Sequence, residues 1–556
     1  MNPATAPQRP TERRPFSWGA VAGPLALALV AFPAFAWFAW HDGLATVGDD
    51  SVSYLVQARV YAGTAGAAVR EWLGNAAHFP PLFPLLLAAS GAADDFLRAH
   101  LVVAACAAAA LAAVHVFVRG VAGGRAAALV VALFLATPTA WLGELGILSE
   151  PLYLLLSFAA LAWHARSVPA GAASTASRLV FGVLLAAAFL SRSAAAALVA
   201  AYVAWALLRA WKREEAPGSL AVALVPLALA TAAWLALRPP LQGENYGQVL
   251  RNAWGLLMAA PALFASKSAE YLGNAWIGSF TAESHVSGAT RAALLAAALL
   301  ALAGAVRAAR LNRLDGWYAL AYAAMLAFWL FPEETARRLM YPVVPLALLH
   351  AGEAIHALAR RVAPRRPALA VGAGGALLAA LSLPAMALLA SKAADRSPVM
   401  SISPLAYSGI MEYYTIIPVK PARESAGRQV AVLAGLAQVE RFTPPDAKVL
   451  WMRPDYVAVL GHRTGVASYY RGGMAGVVRT LLETHAGYIV VSSLYKADIR
   501  GDALDPLVTP GAVAPFTRPV FIVRNPVAEI DEFGLLQVDR AALERYAATL
   551  PGAPGR

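Results

Sequence analysis

Apolar runs long enough to cross a bilayer recur along most of this 556-residue chain, from about residue 18 to residue 391, separated by short clusters of arginine. A bilayer span needs about 20 consecutive apolar residues, and lipid accepts only backbone whose hydrogen bonds close within the protein. The pattern predicts a polytopic α-helical membrane protein. Composition agrees: 59% of residues are hydrophobic and 14% charged, where soluble proteins carry about 25% charged residues. A single soluble domain, a disordered chain and a collagen-like chain are all excluded. The net charge of +12 does not point to nucleic acid, because the arginines sit between apolar runs in the positive-inside manner. The single cysteine, Cys106, lies inside an apolar run, so neither an intramolecular disulfide nor a thiolate metal cluster is available.

Candidate spans fall at about 18–40, 99–118, 126–143, 147–165, 178–191, 194–210, 219–237, 289–306, 315–331, 339–358 and 368–391, eleven in all. Residues 1–17 carry Arg9, Arg13 and Arg14, and the basic loops that follow fall on the same side. The N-terminus is therefore expected in the cytoplasm and the C-terminus outside. The stretch 18–40 is too long for a signal-peptide core and lacks a small-residue cleavage site, which predicts a retained first span. The pair 178–191 and 194–210 is short, so these helices are expected to tilt or to stop at a cavity. Outside lie 41–98, the acidic turn 144–151, 238–288, 332–338 and everything after 391. A linker at 392–424 leads to 425–556, where strand-like pieces such as KVLWM (448–452), GYIVVSS (487–493) and RPVFIVRN (518–525) alternate with helix-like ones. This predicts a small α/β domain outside the membrane. GHRTG (461–465) and RGGMAG (471–476) resemble turns between strand and helix and carry mostly structural weight.

The segment GDDSVSYLVQARVYA (48–62) follows the first span directly. As a helix from residue 50 it sets Asp50, Tyr54, Gln57 and Tyr61 on one stripe, with Val52, Leu55 and Val56 opposite. That describes an amphipathic helix on the outer membrane surface, with Arg59 snorkelling from its apolar side. Asp49 and Asp50 stand at its N-terminus, where the helix dipole favours carboxylates. The pair serves either as a helix cap or as a general base for an acceptor hydroxyl.

The acidic pair followed by Tyr, Ala and Arg resembles the first-loop motif of the GT-C glycosyltransferases, in the branch of protein O-mannosyltransferases and aminoarabinose transferases. HFPPLFPLLLA (78–88) is similar to that branch's proline-rich segment, and ILSEPLYLLLSFAAL (147–161) places Glu150 at the acidic position of the second outer loop. ARRLMYPVVPLALLHAG (336–352) resembles the family's Arg-aromatic-Pro-apolar-Pro signature, and RFTPPDAKVLWMRPDYVAVLGHR (441–463) resembles the opening of the soluble domain of bacterial members. The matches follow the family's order over nearly the whole chain.

The resemblance implies an inverting transfer: a sugar on a polyprenyl phosphate is presented from the bilayer, and an acceptor hydroxyl attacks its anomeric carbon. Asp49 matches the base position, Asp50 replaces the usual Glu, and their roles are exchangeable. Glu150 is a second acidic group that orients acceptor or base, or else a satisfied helix-start carboxylate. Arg337 and Arg338 stand at the outer end of the tenth span, where a guanidinium fits a phosphate bidentately or anchors to lipid headgroups. Arg192, between two short apolar runs, matches a basic residue of the family, and a buried cation implies a partner or a cavity. Tyr54 belongs to the same candidate substrate set.

The sequence also departs from both subgroups. Phe79 stands where aminoarabinose-type members carry a Lys, leaving His78 as the nearest polar group to contact donor or acceptor, or to be structural. Phe83 and Pro84 replace the Gly-Lys of the mannosyltransferases. Donor and acceptor are thus not copied from either. In 238–288, Tyr246, Trp254, Tyr271, Trp276 and His285 either wall a sugar cavity or form an aromatic belt.

There is no HExxH, G-x-S-x-G, Walker A, Rossmann fingerprint or Asp-x-Asp of the metal-dependent kind. Neither cofactor nor metal is expected. The expected partners are a polyprenyl-phosphate-linked sugar, an acceptor glycan, lipid or protein, and the bilayer of a bacterial inner membrane, with no nucleic acid. The competing readings are a transporter or flippase of an envelope precursor, against which stands the absence of paired inverted repeats, and a non-catalytic scaffold.

Overall fold

The computed structural model describes residues 19–39, 49–142, 146–167, 174–240, 246–281, 286–328, 338–362, 364–393, 419–467, 473–492 and 510–550. The first helix is α1 (Gly19–Ala39), and the segment after it, expected outside the membrane, contains α2 (Asp49–Ala62), α3 (Ala67–Glu71), α4 (Leu73–Ala76) and α5 (Leu82–Ala89). The bundle continues with α6 (Phe96–Ala122), α7 (Gly124–Leu135), α8 (Pro138–Leu142), α9 (Glu150–Ser167), α10 (Thr175–Ser191), α11 (Ala196–Trp211), α12 (Pro217–Ala221) and α13 (Val225–Leu237). Next come α14 (Tyr246–Ala259), α15 (Pro261–Thr281), α16 (Gly288–Arg310), α17 (Leu314–Phe328), α18 (Val344–Val362) and α19 (Pro367–Ala393). Helix therefore lies on each of the eleven predicted apolar runs. Among the described residues, four helical stretches are long and apolar enough to cross a membrane on that basis alone: Phe96–Ala122, Ser193–Trp211, Gly288–Arg310 and Pro367–Ser391.

Local chemistry sets where these helices stop. The predicted span 126–143 is broken into α7 and α8 at Thr137 and Pro138, because proline lacks an N–H and pushes its predecessor out of the α region. The Asp95 carboxylate caps α6 by accepting from the Arg98 N–H at 3.0 Å. Ser174 caps α10 by accepting from the Ser177 N–H at 3.2 Å. α10 ends at Arg192, whose backbone is extended, and a 3-10 turn over Ser193–Ala195 leads into α11.

The bundle core is apolar around α6, which packs on α1, α7 and α9. Polar cross-ties stitch it: Tyr153 and Tyr318 share a hydroxyl–hydroxyl bond of 2.7 Å between α9 and α17. Trp205 donates to the Asn312 carbonyl at 2.9 Å. Within 238–288 the described residues include α14 and α15. Tyr271 and Trp276 there are buried in the core, with Trp276 donating to the Leu294 carbonyl at 2.7 Å, so these two rings help hold helices together.

The C-terminal part comprises α20 (Val419–Leu436), α21 (Val439–Phe442), β1 (Lys448–Trp451), α22 (Pro454–Leu460), β2 (Thr464–Ala467), α23 (Gly473–Thr484), β3 (Tyr488–Ser492), α24 (Pro510–Val513), β4 (Thr517–Arg524), β5 (Asp531–Val538) and α25 (Arg540–Ala547). The five strands lie in the order β2-β1-β3-β5-β4; β1 is parallel to β2 and β3, whereas β5 runs antiparallel to β3 and β4. Alternation sorts the faces. Val449, Trp451, Val490, Phe533 and Leu535 point to one apolar core, and Leu450, Ile489, Val491 and Leu536 point to another with α23. The first of these cores is shared: through α20 and α22 it continues into Val52, Leu55, Val56 and Phe83 of the outer segment. The small α/β domain expected from the sequence is present, and it is packed directly onto α2.

That packing corrects the picture of α2 as a helix lying on the membrane surface. From Ser51 to Arg59, all residues but Ser53 are buried, including the polar Gln57. Arg59 does not snorkel; its guanidinium is 2.7 Å from the Asp94 carboxylate and donates to the Val459 carbonyl at 2.8 Å.

Candidate functional site

Four elements distant in sequence end at one place in the bundle. Asp50 comes from the first turn of α2, Glu150 opens α9, Arg192 occupies the break after α10, and Arg338 precedes α18. They form an alternating row of charge. Arg338 pairs through Nη2 with Asp50 and through Nε with Glu150. The other oxygen of Glu150 is 2.9 Å from Arg192 Nη1. Arg192 Nη1 also donates to the Ser149 hydroxyl at 3.2 Å, and that hydroxyl shares a 2.7 Å bond with the Tyr54 hydroxyl.

Burial grades along this row. The Glu150 side chain is fully enclosed, at 0% exposed, and Arg192 is at 10%, whereas Asp50 and Arg338 retain 26% and 24%. The deep end is thus a fixed ion pair and the shallow end faces outward. A buried carboxylate between two guanidiniums is compensated, and removing it would leave two cations stranded. Around Asp50, burial pushes the carboxyl pKa up, but Arg338, with Arg192 and His78 adding to it, outweighs that and holds it below the ordinary value. Burial raises the Tyr54 phenol well above its ordinary range, so it acts as a neutral hydrogen-bonding group.

The aromatic wall beside the row comes from the proline-rich segment. Tyr54 packs on Phe79 and Phe83, with ring centroids 4.9 and 5.0 Å apart, and His78 lies against Phe79 at 4.0 Å. His78 Nδ1 is 2.6 Å from the Asn75 carbonyl, which as an acceptor sets the proton on Nδ1. Burial lowers the His78 pKa, with that carbonyl and Asp50 opposing it. Gln57 donates to the Ala76 carbonyl at 2.7 Å and so ties α2 to the same segment.

Of the residues singled out in the sequence, Asp50, Tyr54, Glu150, Arg192 and Arg338 meet directly, and His78 stands beside them. Asp49 opens α2, but its side chain lies outside the described residues, as do Arg337 and His285. Sequence reasoning missed Ser149, which links Tyr54 to Arg192, and Ser51, whose hydroxyl accepts from the Ile147 N–H at 3.1 Å and ties α2 to the segment before α9. Ser149 carried a legible signal, a Ser immediately before a helix start, but its hydroxyl is turned into the site. Among the described residues, no cluster of three His, Cys, Asp or Glu is arranged to hold a metal ion.

No protein-family model and no curated protein sequence matches the chain. Solved structures do. The apo structure of ArnT from Cupriavidus metallidurans superposes with a TM-score of 0.51 at 16% identity, covering 94% of this chain and 98% of that one. The same protein bound to undecaprenyl phosphate gives 0.50 at 17% identity, covering 95% and 99%. An archaeal oligosaccharyltransferase, AglB from Archaeoglobus fulgidus, solved with an inhibitory peptide and a dolichol-phosphate, gives 0.49 at 11% identity, covering 93% and 74%. With ArnT matched almost end to end, bundle and C-terminal domain together, this chain shares the fold of ArnT.

Proposed function

We propose that this protein is an inverting glycosyltransferase that moves a sugar from a polyprenyl phosphate to an acceptor hydroxyl at the outer face of a bacterial inner membrane. The observation that carries the reading is the row Asp50–Arg338–Glu150–Arg192, assembled from four separate elements of a bundle that shares the fold of ArnT. ArnT, which shares the fold, was solved bound to undecaprenyl phosphate, and a phosphate of that kind fits a site with two guanidiniums. In the proposed reaction the acceptor oxygen attacks the anomeric carbon as the carbon–oxygen bond to the phosphate breaks. The polyprenyl phosphate leaves with the electron pair, and the acceptor proton passes to the acidic pair Asp49 and Asp50.

Each group then has a role that follows from its surroundings. Arg338, at the partly exposed end, receives the phosphate and stabilises the charge that develops on it. Arg192 adds its charge from below, held in place by Glu150 and Ser149. Glu150 orients both guanidiniums, because each of its oxygens faces one of them. His78, part-buried and backed by the buried rings of Phe79 and Tyr54, offers its ring to a sugar.

The test uses purified protein in lipid with a panel of radiolabelled polyprenyl-phosphate sugars and an envelope extract as acceptor. Transfer by the wild type is expected to fall by roughly 10²- to 10⁴-fold in Asp49→Asn or Asp50→Asn, the range of a lost general base. Failure of every donor to turn over, or full activity in both Asp variants, would discard the reading in favour of transport.

A further inference from the structure

Arg59 lies on the same helix as Asp50 and Tyr54, more than two turns beyond Asp50. Its side chain is 6% exposed, and it stands at a three-way junction. The guanidinium faces the Asp94 carboxylate at 2.7 Å and donates to the Ala93 carbonyl at 3.3 Å, both in the segment leading into α6. It also donates to the Val459 carbonyl at 2.8 Å, across 400 residues of chain. Val459 is the next-to-last residue of α22, so its carbonyl is one of those that a helix leaves unsatisfied. A cation there also suits the negative end of the helix dipole. Around the junction, Val52, Leu55 and Val56 of α2 share one apolar core with Val457, Ala458 and Leu460 of α22.

We infer that Arg59 is a positioning residue through which the C-terminal domain clamps α2 and so fixes where Asp50 stands against Arg338. This rests on the proposed transfer reaction, and it assigns the C-terminal domain a part in that reaction's geometry. A helix of 14 residues held only by apolar contacts can slide or rotate by small amounts, whereas three directional contacts to one guanidinium fix both. Lysine does not replace it, because one ammonium cannot span three acceptors in a plane as a guanidinium does.

The experiment compares the wild type, Arg59→Gln, Arg59→Lys and Asp50→Asn as full-length protein in lipid nanodiscs. In Arg59→Gln, the amides of residues 53–62 and 455–461 are expected to exchange with solvent at least about tenfold faster, those of α6 and α9 being unchanged. Arg59→Lys, which keeps the charge opposite Asp94, is expected to recover part of that protection. With a donor that the wild type turns over, kcat in Arg59→Gln is expected to fall by roughly 10- to 100-fold with KM within about twofold, as a small misplacement of a reacting group does. Undecaprenyl phosphate should still bind one site per chain as in the wild type, and the acid limb of the pH–rate profile should move upward as Asp50 loosens from Arg338. Unchanged exchange in α2 overturns the inference. So does faster exchange with unaltered kcat while Asp50→Asn abolishes turnover, and so does a loss of undecaprenyl-phosphate sites in step with activity, which would mean unfolded protein. If Asp50→Asn leaves turnover intact, the position of Asp50 does not matter to the reaction and the positioning role of Arg59 is overturned; the transfer reading itself fails only if Asp49→Asn is fully active as well.

Discussion

A carboxylate beside a guanidinium holds off its proton to a lower pH than one in water, and Asp50 has Arg338 against it, with Arg192 and His78 further out. The sign follows. With the folded value below the unfolded one, the stability that Asp50 contributes is complete above the unfolded value, about 3.9, and is lost as pH falls through the folded value. Transfer and thermal stability are therefore expected to show no acid step from this group between neutrality and about pH 5. Arg338→Gln should bring that step up into the measurable range; a pH–rate profile unchanged in this variant would mean that Arg338 does not govern Asp50. Glu150 makes a different prediction, because it lies between two guanidiniums at 0% exposure. Glu150→Ala leaves two cations without their shared partner, a loss of about 3–5 kcal/mol. Thermal unfolding in detergent should show a clear drop in Tm, and an unchanged Tm would mean that the row does not hold the loops together.

At the scale of elements, the bundle depends on helices that touch backbone to backbone. A Cβ added at Gly304 of α16 would overlap the His350 carbonyl of α18, and one at Gly316 of α17 would overlap the backbone of α16 around Ala309. α17 and α18 are also joined by an ion cluster in which Arg313, in the turn between α16 and α17, donates to Asp315 at 3.1 Å and to Glu353 at 2.6 Å. Substituting Gly304 by Val should thus force α16 and α18 apart at a cost of at least about 1–3 kcal/mol. A lower yield of monodisperse protein and a lower Tm are the expected readouts; wild-type behaviour in both would show that the contact is not tight. Breaks matter as much as contacts. Arg192 reaches the site only because α10 stops one residue before it and the chain turns through Ser193–Ala195.

For the whole molecule, the arginine distribution sets an orientation that labelling can check. In a Cys106→Ala background, Pro445→Cys and Arg213→Cys place single exposed thiols on opposite predicted sides. A membrane-impermeant maleimide applied to intact spheroplasts should label position 445 and should reach position 213 only after permeabilisation. The reverse would invert the topology and put the Asp50 site on the cytoplasmic side. The core shared by α2, α20 and α22 makes bundle and C-terminal domain one packing unit, so removing residues 419–556 should expose apolar surface on α2 and cause aggregation.

Periodicity and composition determined the membrane class, the positions of the helical runs and the alternating strand pattern after residue 425, because each depends on neighbours within one or two turns of chain. The candidate residues Asp50, Glu150, Arg192 and Arg338 were visible as charges at the ends of apolar runs, where burial without a partner is too costly to persist. Their pairing was not visible, since it joins positions as far apart as 50 and 338 and depends on where four helices end in space. The same limit applies to α2: its stripe of polar residues suggests a surface helix when only the bilayer is considered, and the fold covers it instead with α5 and α22. Arg59 shows the reason most directly. On an isolated helix its charge can only reach for water, and it is the tertiary structure that brings Asp94 and the Val459 carbonyl to it.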